Sequence, residues 1–236
     1  MKLQVKELSY AFENKNVLQN INFSVEDNEF ISILGVSGCG KSTLLNILTG
    51  IIKADNGTLM IDGRIVKGLS EHFAYMPQQD LLLPWKSIIE NVTVYGKIHG
   101  KEKELRKKAL PFFEIFGLNN CENLFPRELS GGMRQRAAFL RTTMCSADIM
   151  LLDEPFGALD EITREEMQDW LYKMRNKIGR TTLLVTHDID EAMALSDRIL
   201  IMQGTPVLKL IEVKKGEPEF QHQYIFEKIK EKFIAE

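Results

Sequence analysis

Apolar and polar residues alternate over residues 2–10, with Leu3, Val5 and Leu8 set against Lys2, Gln4 and Lys6, and they alternate again over residues 17–25. A polar turn at residues 13–16 separates the two runs. Period-two alternation marks half-buried strands, so the chain is predicted to open on an antiparallel hairpin. Residues 30–34, 149–152 and 182–185 are continuously apolar or nearly so, which predicts strands covered on both faces. Shorter strands are predicted at 57–63, closed by turns, at 73–76, and near the end at 198–202 and 207–213. Helical spacing appears at 42–49, 88–98 and 103–116, with Gly100 and Gly117 as breaks, and at 131–144, where Ser130 is placed as an N-cap. A long amphipathic helix follows, with Leu159, Ile162, Met167, Trp170, Leu171, Met174 and Ile178 assigned to its core side, and a terminal helix is predicted at 220–234. The change from strands to helices between Trp85 and Glu128 reads as an inserted helical subdomain.

The chemistry is concentrated where apolar runs end. After the strand at 30–34 comes Gly35-Val36-Ser37-Gly38-Cys39-Gly40-Lys41-Ser42, the spacing of a phosphate-binding loop. Its glycines let backbone N–H groups turn inward around phosphate oxygens, Lys41 brings a mobile positive charge, and the Ser42 hydroxyl can coordinate Mg²⁺. The run at 149–152 delivers Asp153 and Glu154 to a strand's carboxyl end, where doubly wound sheets hold ligands. Asp153 can hold Mg²⁺ through its water shell, and Glu154 can take a proton from an attacking water. His187 and Gln78 also follow strands; taken alone, such a histidine is more often structural and such a glutamine more often solvated. Tyr10, at the end of the first strand, is equally suited to cover the core or to stack on a base. The Ser130-Gly131-Gly132 step opens a helix with uncovered N–H groups that suit an anion.

Composition narrows the setting. The 236 residues are 44% hydrophobic and carry a net charge of −3, which speaks against a nucleic-acid backbone as partner. The three cysteines, Cys39, Cys121 and Cys145, fit a reducing compartment, with Cys39 a tolerated loop residue whose thiol the surrounding N–H dipoles can acidify. No apolar run reaches the length of a membrane span, so the chain itself is expected to stay out of the bilayer.

Taken together, these motifs resemble the ATP-binding subunit of an ABC transporter over nearly the whole chain. Gly35–Ser42 matches the Walker A loop, the Leu-Ser-Gly-Gly motif begins at Leu129, Walker B ends at Glu154, the D-loop ends at Asp160, and His187 matches the switch histidine. The resemblance implies an α/β fold: a P-loop NTPase (ABC ATPase) core with an antiparallel β subdomain, from residues 1–84 and 129–236, and an inserted α-helical subdomain at 85–128. It implies ATP and Mg²⁺ as cofactors, with Tyr10 stacking on adenine and Gly35, Ser37, Gly38, Cys39, Gly40, Lys41, Ser42 and Thr43 around the phosphates. Ser42, Gln78 and Asp153 would serve the metal, while Lys41, Gln78, Glu154 and His187 would act in hydrolysis. Ser130, Gly131, Gly132 and Asp160 would work at the interface of a head-to-tail homodimer that sandwiches ATP. Residues 81–92, 153–164 and 186–199 look like the importer branch for nitrate, sulfonate, taurine and related solutes, although Met76-Pro77 and Gln203-Gly204-Thr205-Pro206 depart from that branch's usual residues. The implied partners are a membrane-spanning permease and, indirectly, an extracytoplasmic solute-binding protein, with the chain on the cytoplasmic face of the membrane. An exporter motor would share the catalytic motifs. DNA-repair and ribosome-associated relatives usually have two cassettes or a long coiled-coil insertion, and neither is in this sequence.

Overall fold

The computed structural model describes residues 1–157, 159–203 and 209–230. Two sheets carry the fold. The first is antiparallel in the order β2-β1-β4-β5, formed by β1 (Leu3–Phe12), β2 (Lys15–Val25), β4 (Asn56–Ile61) and β5 (Arg64–Val66). The hairpin turn is tighter than the predicted four residues: only Glu13 and Asn14 lie between the strands, both at positive φ (47° and 63°), as a two-residue turn matching the strands' twist requires. Leu3 pairs with Val25 and Leu8 with Ile21, and these residues are buried. The register shifts on either side of Leu8, a β-bulge pattern of the kind that re-aims side chains beside sites.

The second sheet, six-stranded among the described residues, runs β10-β9-β3-β8-β7-β6. Its strands β3 (Phe30–Leu34), β6 (Phe73–Met76), β7 (Ile149–Asp153), β8 (Thr181–Thr186) and β9 (Arg198–Gln203) are parallel, and β10 (Lys209–Lys214) is antiparallel to β9. Every residue of β3, β7, β8 and β9 is buried, which explains why their sequences do not alternate. Parallel pairing also puts the carboxyl ends of β3, β6, β7 and β8 on one edge, and the candidate chemistry collects there. Of the predicted strand at 207–213, positions 207 and 208 lie outside the described residues.

The helices are α1 (Lys41–Leu48), α2 (Ile88–Val92), α3 (Val94–Ile98), α4 (Glu102–Ile115), α5 (Gly131–Thr143), α6 (Glu161–Ile178), α7 (Ile189–Leu195) and α8 (His222–Lys230). The single helix predicted at 88–98 is two: Thr93 leaves helical geometry (φ −100°, ψ 11°) while its hydroxyl donates to the Ile89 carbonyl at 2.7 Å. The short helix α7 has too few turns to show a period, and sequence reading leaves it unassigned. Ile162 is corrected from core to surface: α6 starts at Glu161, and Ile162, in its first turn, is 73% exposed. The apolar stripe proper begins at Met167 and continues through Leu171 and Met174, all buried. The terminal helix is described to Lys230, and its predicted extension to 234 lies outside the described residues.

One apolar cluster joins the helical stretch to the parallel sheet. Phe116 and Phe139 meet Trp170 of α6 edge to face, at centroid distances of 4.9 and 5.4 Å. A second cluster packs the antiparallel sheet onto α1. No helix among the described residues is long and apolar enough to cross a membrane.

Candidate functional site

The buried strand β3 ends in the glycine-rich loop, and its backbone shows why glycine is needed. Gly40 caps α1 at φ 111°, and a β-carbon there would stand 3.0 Å from Val17 Cγ1. Lys41 is 5% exposed, and its Nζ donates to the carbonyls of Gly35 (2.9 Å) and Val36 (3.2 Å). The same ammonium is 3.6 Å from Glu154 Oε1. A cation is therefore held ready inside the loop at the positive end of a helix. Cys39 behaves otherwise than its neighbouring dipoles suggest: the side chain is buried, and desolvation pushes the thiol's pKa up. That rules it out as an acidified thiol.

Across the loop, Ser42 Oγ donates to Asp153 Oδ1 at 3.2 Å, and the Tyr75 hydroxyl donates to Oδ2 at 3.0 Å. Burial raises the pKa of Asp153, while the bonds from Ser42 and Tyr75 pull the other way. Burial first, and then the charge on Asp153, raises the pKa of Tyr75, which keeps it a donor. A hydroxyl and a carboxylate side by side are hard oxygen donors of the kind Mg²⁺ takes, with phosphate oxygens and waters completing its octahedron. The donor set thus fits the metal.

Glu154 is the hub. It sits at φ 44°, a left-handed conformation costly for a residue with a β-carbon, and its N–H donates to the Val185 carbonyl at 2.9 Å, tying β7 to β8. Its Oε2 accepts from Gln78 Nε2 at 3.4 Å and lies 3.3 Å from His187 Nδ1. Lys41, Gln78, Glu154 and His187, far apart in sequence, thus meet around one carboxylate.

A cleft of about 580 Å³ opens beside this cluster; Tyr10, Ser37, Gly38, Gly40, Lys41, Ser42, Thr43, Gln78 and Glu154 all line it. Its apolar end is formed by Tyr10 together with Phe12, Val17 and Ile52, which sequence reading did not single out. Glycine-backed N–H groups, a buried lysine and an aromatic end wall suit a nucleoside triphosphate. Tyr10 is steadied by Asp55, whose N–H donates to Ser9 O (3.0 Å) and whose carboxylate accepts the Ala11 N–H (2.7 Å), on either side of the tyrosine.

Ser130, Gly131, Gly132 and Asp160 are not among the residues lining this cleft. Ser130 caps α5, its Oγ accepting from Met133 N at 3.3 Å, and exposed Asp160 caps α6, accepting from Thr163 N at 3.1 Å. Gly131 lines a separate hollow with Gln78, Asp80 and Arg134. There Arg134 Nε donates to Asp80 at 3.1 Å, and Arg141 donates to the carbonyls of Asp80 and Leu81 at 2.7 Å each. These arginines shape the loop after Gln78. Arg134 lies in the stretch that Leu129-Ser130-Gly131-Gly132 opens and Asp55 in a turn signal, but neither pattern pointed to these contacts, and nothing marked Arg141 or Tyr75; a strand's alternation shows only on which face Tyr75 lies.

Comparison with known proteins agrees with this geometry. A family model described as ABC transporter matches residues 18–157. The formylaminopyrimidine import ATP-binding protein ThiZ of Halalkalibacterium halodurans is 47% identical over 214 residues, covering 90% of this chain and 84% of the relative. The aliphatic sulfonates import ATP-binding protein SsuB of Bacillus cereus is 37% identical over 242 residues, covering 100% and 96%. Among solved structures, a dimeric, post-hydrolysis state of the ATP-binding cassette MJ0796 bound to ADP and Pi superposes with a TM-score of 0.74 at 30% identity, covering 90% of this chain and 98% of that one. The chain belongs to the ABC transporter family, as one of its ATP-binding subunits, and is an ATPase.

Proposed function

We propose that the protein is the motor of an importer: two copies close head to tail on ATP, and hydrolysis lets them part, driving a separate membrane-spanning permease. The observation that carries this reading is the division of its motifs. Lys41, Ser42, Gln78 and Glu154 line one cleft, with Asp153 bonded to Ser42 and His187 against Glu154, while Ser130, Gly131 and Gly132 neither line it nor bond to these residues. Helix α5 therefore presents its capped N-terminus for a nucleotide held by a second copy. The relatives named as import ATP-binding proteins support the direction of transport.

In this reading Tyr10 covers the adenine, and loop N–H groups with Lys41 hold the phosphates. Ser42 and Asp153 hold Mg²⁺, with Gln78 beside them. ATP supplies the phosphoryl group, and Mg²⁺ neutralises charge on its oxygens when bound. Glu154 accepts the proton of the attacking water at a carboxylate oxygen, and His187 and Gln78 fix that carboxylate's direction. Residues 85–128 form the helical subdomain of a core built from 1–84 and 129–236, next to the loop that Arg134 and Arg141 shape. That loop and the exposed Leu81 and Trp85 face the permease, which places the chain on the cytoplasmic face of the membrane. A solute-binding protein outside the membrane selects the cargo, a small solute such as a sulfonate, nitrate, taurine or related compound.

The test is capture. The tagged protein is recovered from gently solubilised host membranes, and a co-purifying protein with several membrane spans that stimulates ATPase turnover is expected. Recovery of only ribosomal or DNA-bound partners would refute the transport reading.

A further inference from the structure

Beside the cleft lies a small cavity of about 10 Å³ whose walls include Glu154, Arg164, Thr186, His187 and Glu191. Glu191 is 4% exposed, on the first turn of α7. Its Oε2 accepts a hydrogen bond from the Thr186 hydroxyl, whereas its Oε1 has no partner among the described residues. Arg164 Nε, buried on α6, is likewise unpartnered. Among the described residues the buried side-chain atoms without a partner are these two and Arg180 Nη1, which is not on this cavity; two complementary orphans on one cavity call for a common explanation.

The other bonds of Glu191 bracket His187. The Thr186 hydroxyl, having donated to Glu191, accepts the Asp188 N–H at 3.0 Å, and Asp188 Oδ1 accepts the Glu191 N–H at 3.0 Å. His187 is the residue between these two anchored positions. The charged and titratable groups facing Glu191 are Asp188 and His187 on its own turn, Arg164 from α6 and Glu154 from the end of β7. Burial pushes Glu191 up to about 8; the Thr186 bond and Arg164 oppose that rise, and Asp188 and Glu154 add to it.

We propose that Glu191 is a positioning residue for hydrolysis: it fixes His187 through Thr186, and it docks the His187 turn onto α6 by pairing its free oxygen with Arg164. The cavity is at the lower limit for one water, so a single water there would complete that pairing. The turn bearing His187 is thereby linked to the helix that Asp160 caps. This rests on the reading that His187 acts at the nucleotide.

The test measures kcat and the KM for ATP of the full-length protein from pH 6 to 9. Glu191→Ala lowers kcat about tenfold, the worth of one net hydrogen bond, with KM for ATP unchanged within about twofold. Glu191→Gln, uncharged and still an acceptor for Thr186, recovers at least half of that loss at pH 7; it also keeps the test valid if the alanine variant does not fold. Arg164→Ala in the Glu191→Ala background adds little further loss. An unchanged kcat in Glu191→Ala, no recovery in Glu191→Gln, or fully multiplying losses would overturn the proposal. His187→Ala separates the layers. If it lowers kcat and Glu191→Ala does not, the role of His187 stands and the proposal alone falls; if it leaves kcat unchanged, the proposal falls with the role of His187.

Discussion

Gly132 is in contact with α6, and this gives a prediction that separates packing from chemistry. A β-carbon at Gly132 would lie 2.8 Å from Thr163 Cγ2, with no other atom within reach. Carbon atoms pack best at about 3.5–4.0 Å, so one helix end must move or Thr163 must rotate from its preferred rotamer. Overpacking of this kind costs about 1–3 kcal/mol, and alanine in place of glycine in a helix returns up to about 1 kcal/mol. The net for Gly132→Ala is a loss of about 1 kcal/mol, or roughly 2–4 °C in a chain of this size. Thr163→Ser removes the clashing methyl and keeps the hydroxyl. The double variant should therefore melt at or above the parent temperature in calorimetry of the nucleotide-free protein, and the single Gly132→Ala variant below it. If Gly132→Ala melted no lower than the parent, or if Thr163→Ser restored nothing, the steric reasoning would be wrong. ATPase turnover of the stabilised double variant then reports what glycine does for the nucleotide: activity that stays low once stability returns shows that the β-carbon obstructs a partner's ATP.

Glu154→Gln removes the base and should slow hydrolysis by roughly 10²-fold or more while leaving an ATP-held dimer; light scattering with Mg-ATP that found only monomers would count against the dimer mechanism. Tyr75→Phe deletes the 3.0 Å bond to Asp153 and should raise the Mg²⁺ concentration for half-maximal turnover by roughly tenfold, as loss of outer-shell support does; an unchanged requirement would remove Tyr75 from the metal site. The pKa of Glu191, raised from 4.5 to about 8, makes stability depend on pH. The unfolded chain releases this proton first, so the stability from this group is fully present below 4.5 and is lost as pH rises through about 8. At pH 7 the loss is about 3 kcal/mol, and the melting-temperature gap between Glu191→Gln and the parent should widen from pH 4.5 to 8 and then level; a constant gap would show that Glu191 titrates normally.

What the sequence determined by itself was whatever follows from local spacing. The glycines at 35, 38 and 40 with Lys41 and Ser42 have the spacing of a phosphate-binding loop, Ser130 caps a helix as its type predicts, and unbroken apolar runs announce strands buried on both faces. The motif order was enough to point to the family. Tertiary structure decided what depends on partners distant in sequence or on where an element begins. Ile162, five residues before Met167, lies off the face that Met167, Leu171 and Met174 share, and in the first turn of α6 nothing packs over it. Cys39 sits among N–H dipoles, but packing under the loop desolvates it, and desolvation is the larger effect. The contacts of Tyr75 and Asp55 could not be read from the sequence, because each is one hydrogen-bonding geometry that exists only when strands from different parts of the chain are paired. The same holds for Glu191, an ordinary acidic residue in a polar stretch until β8, α6 and α7 close around it and leave its carboxyl facing Arg164.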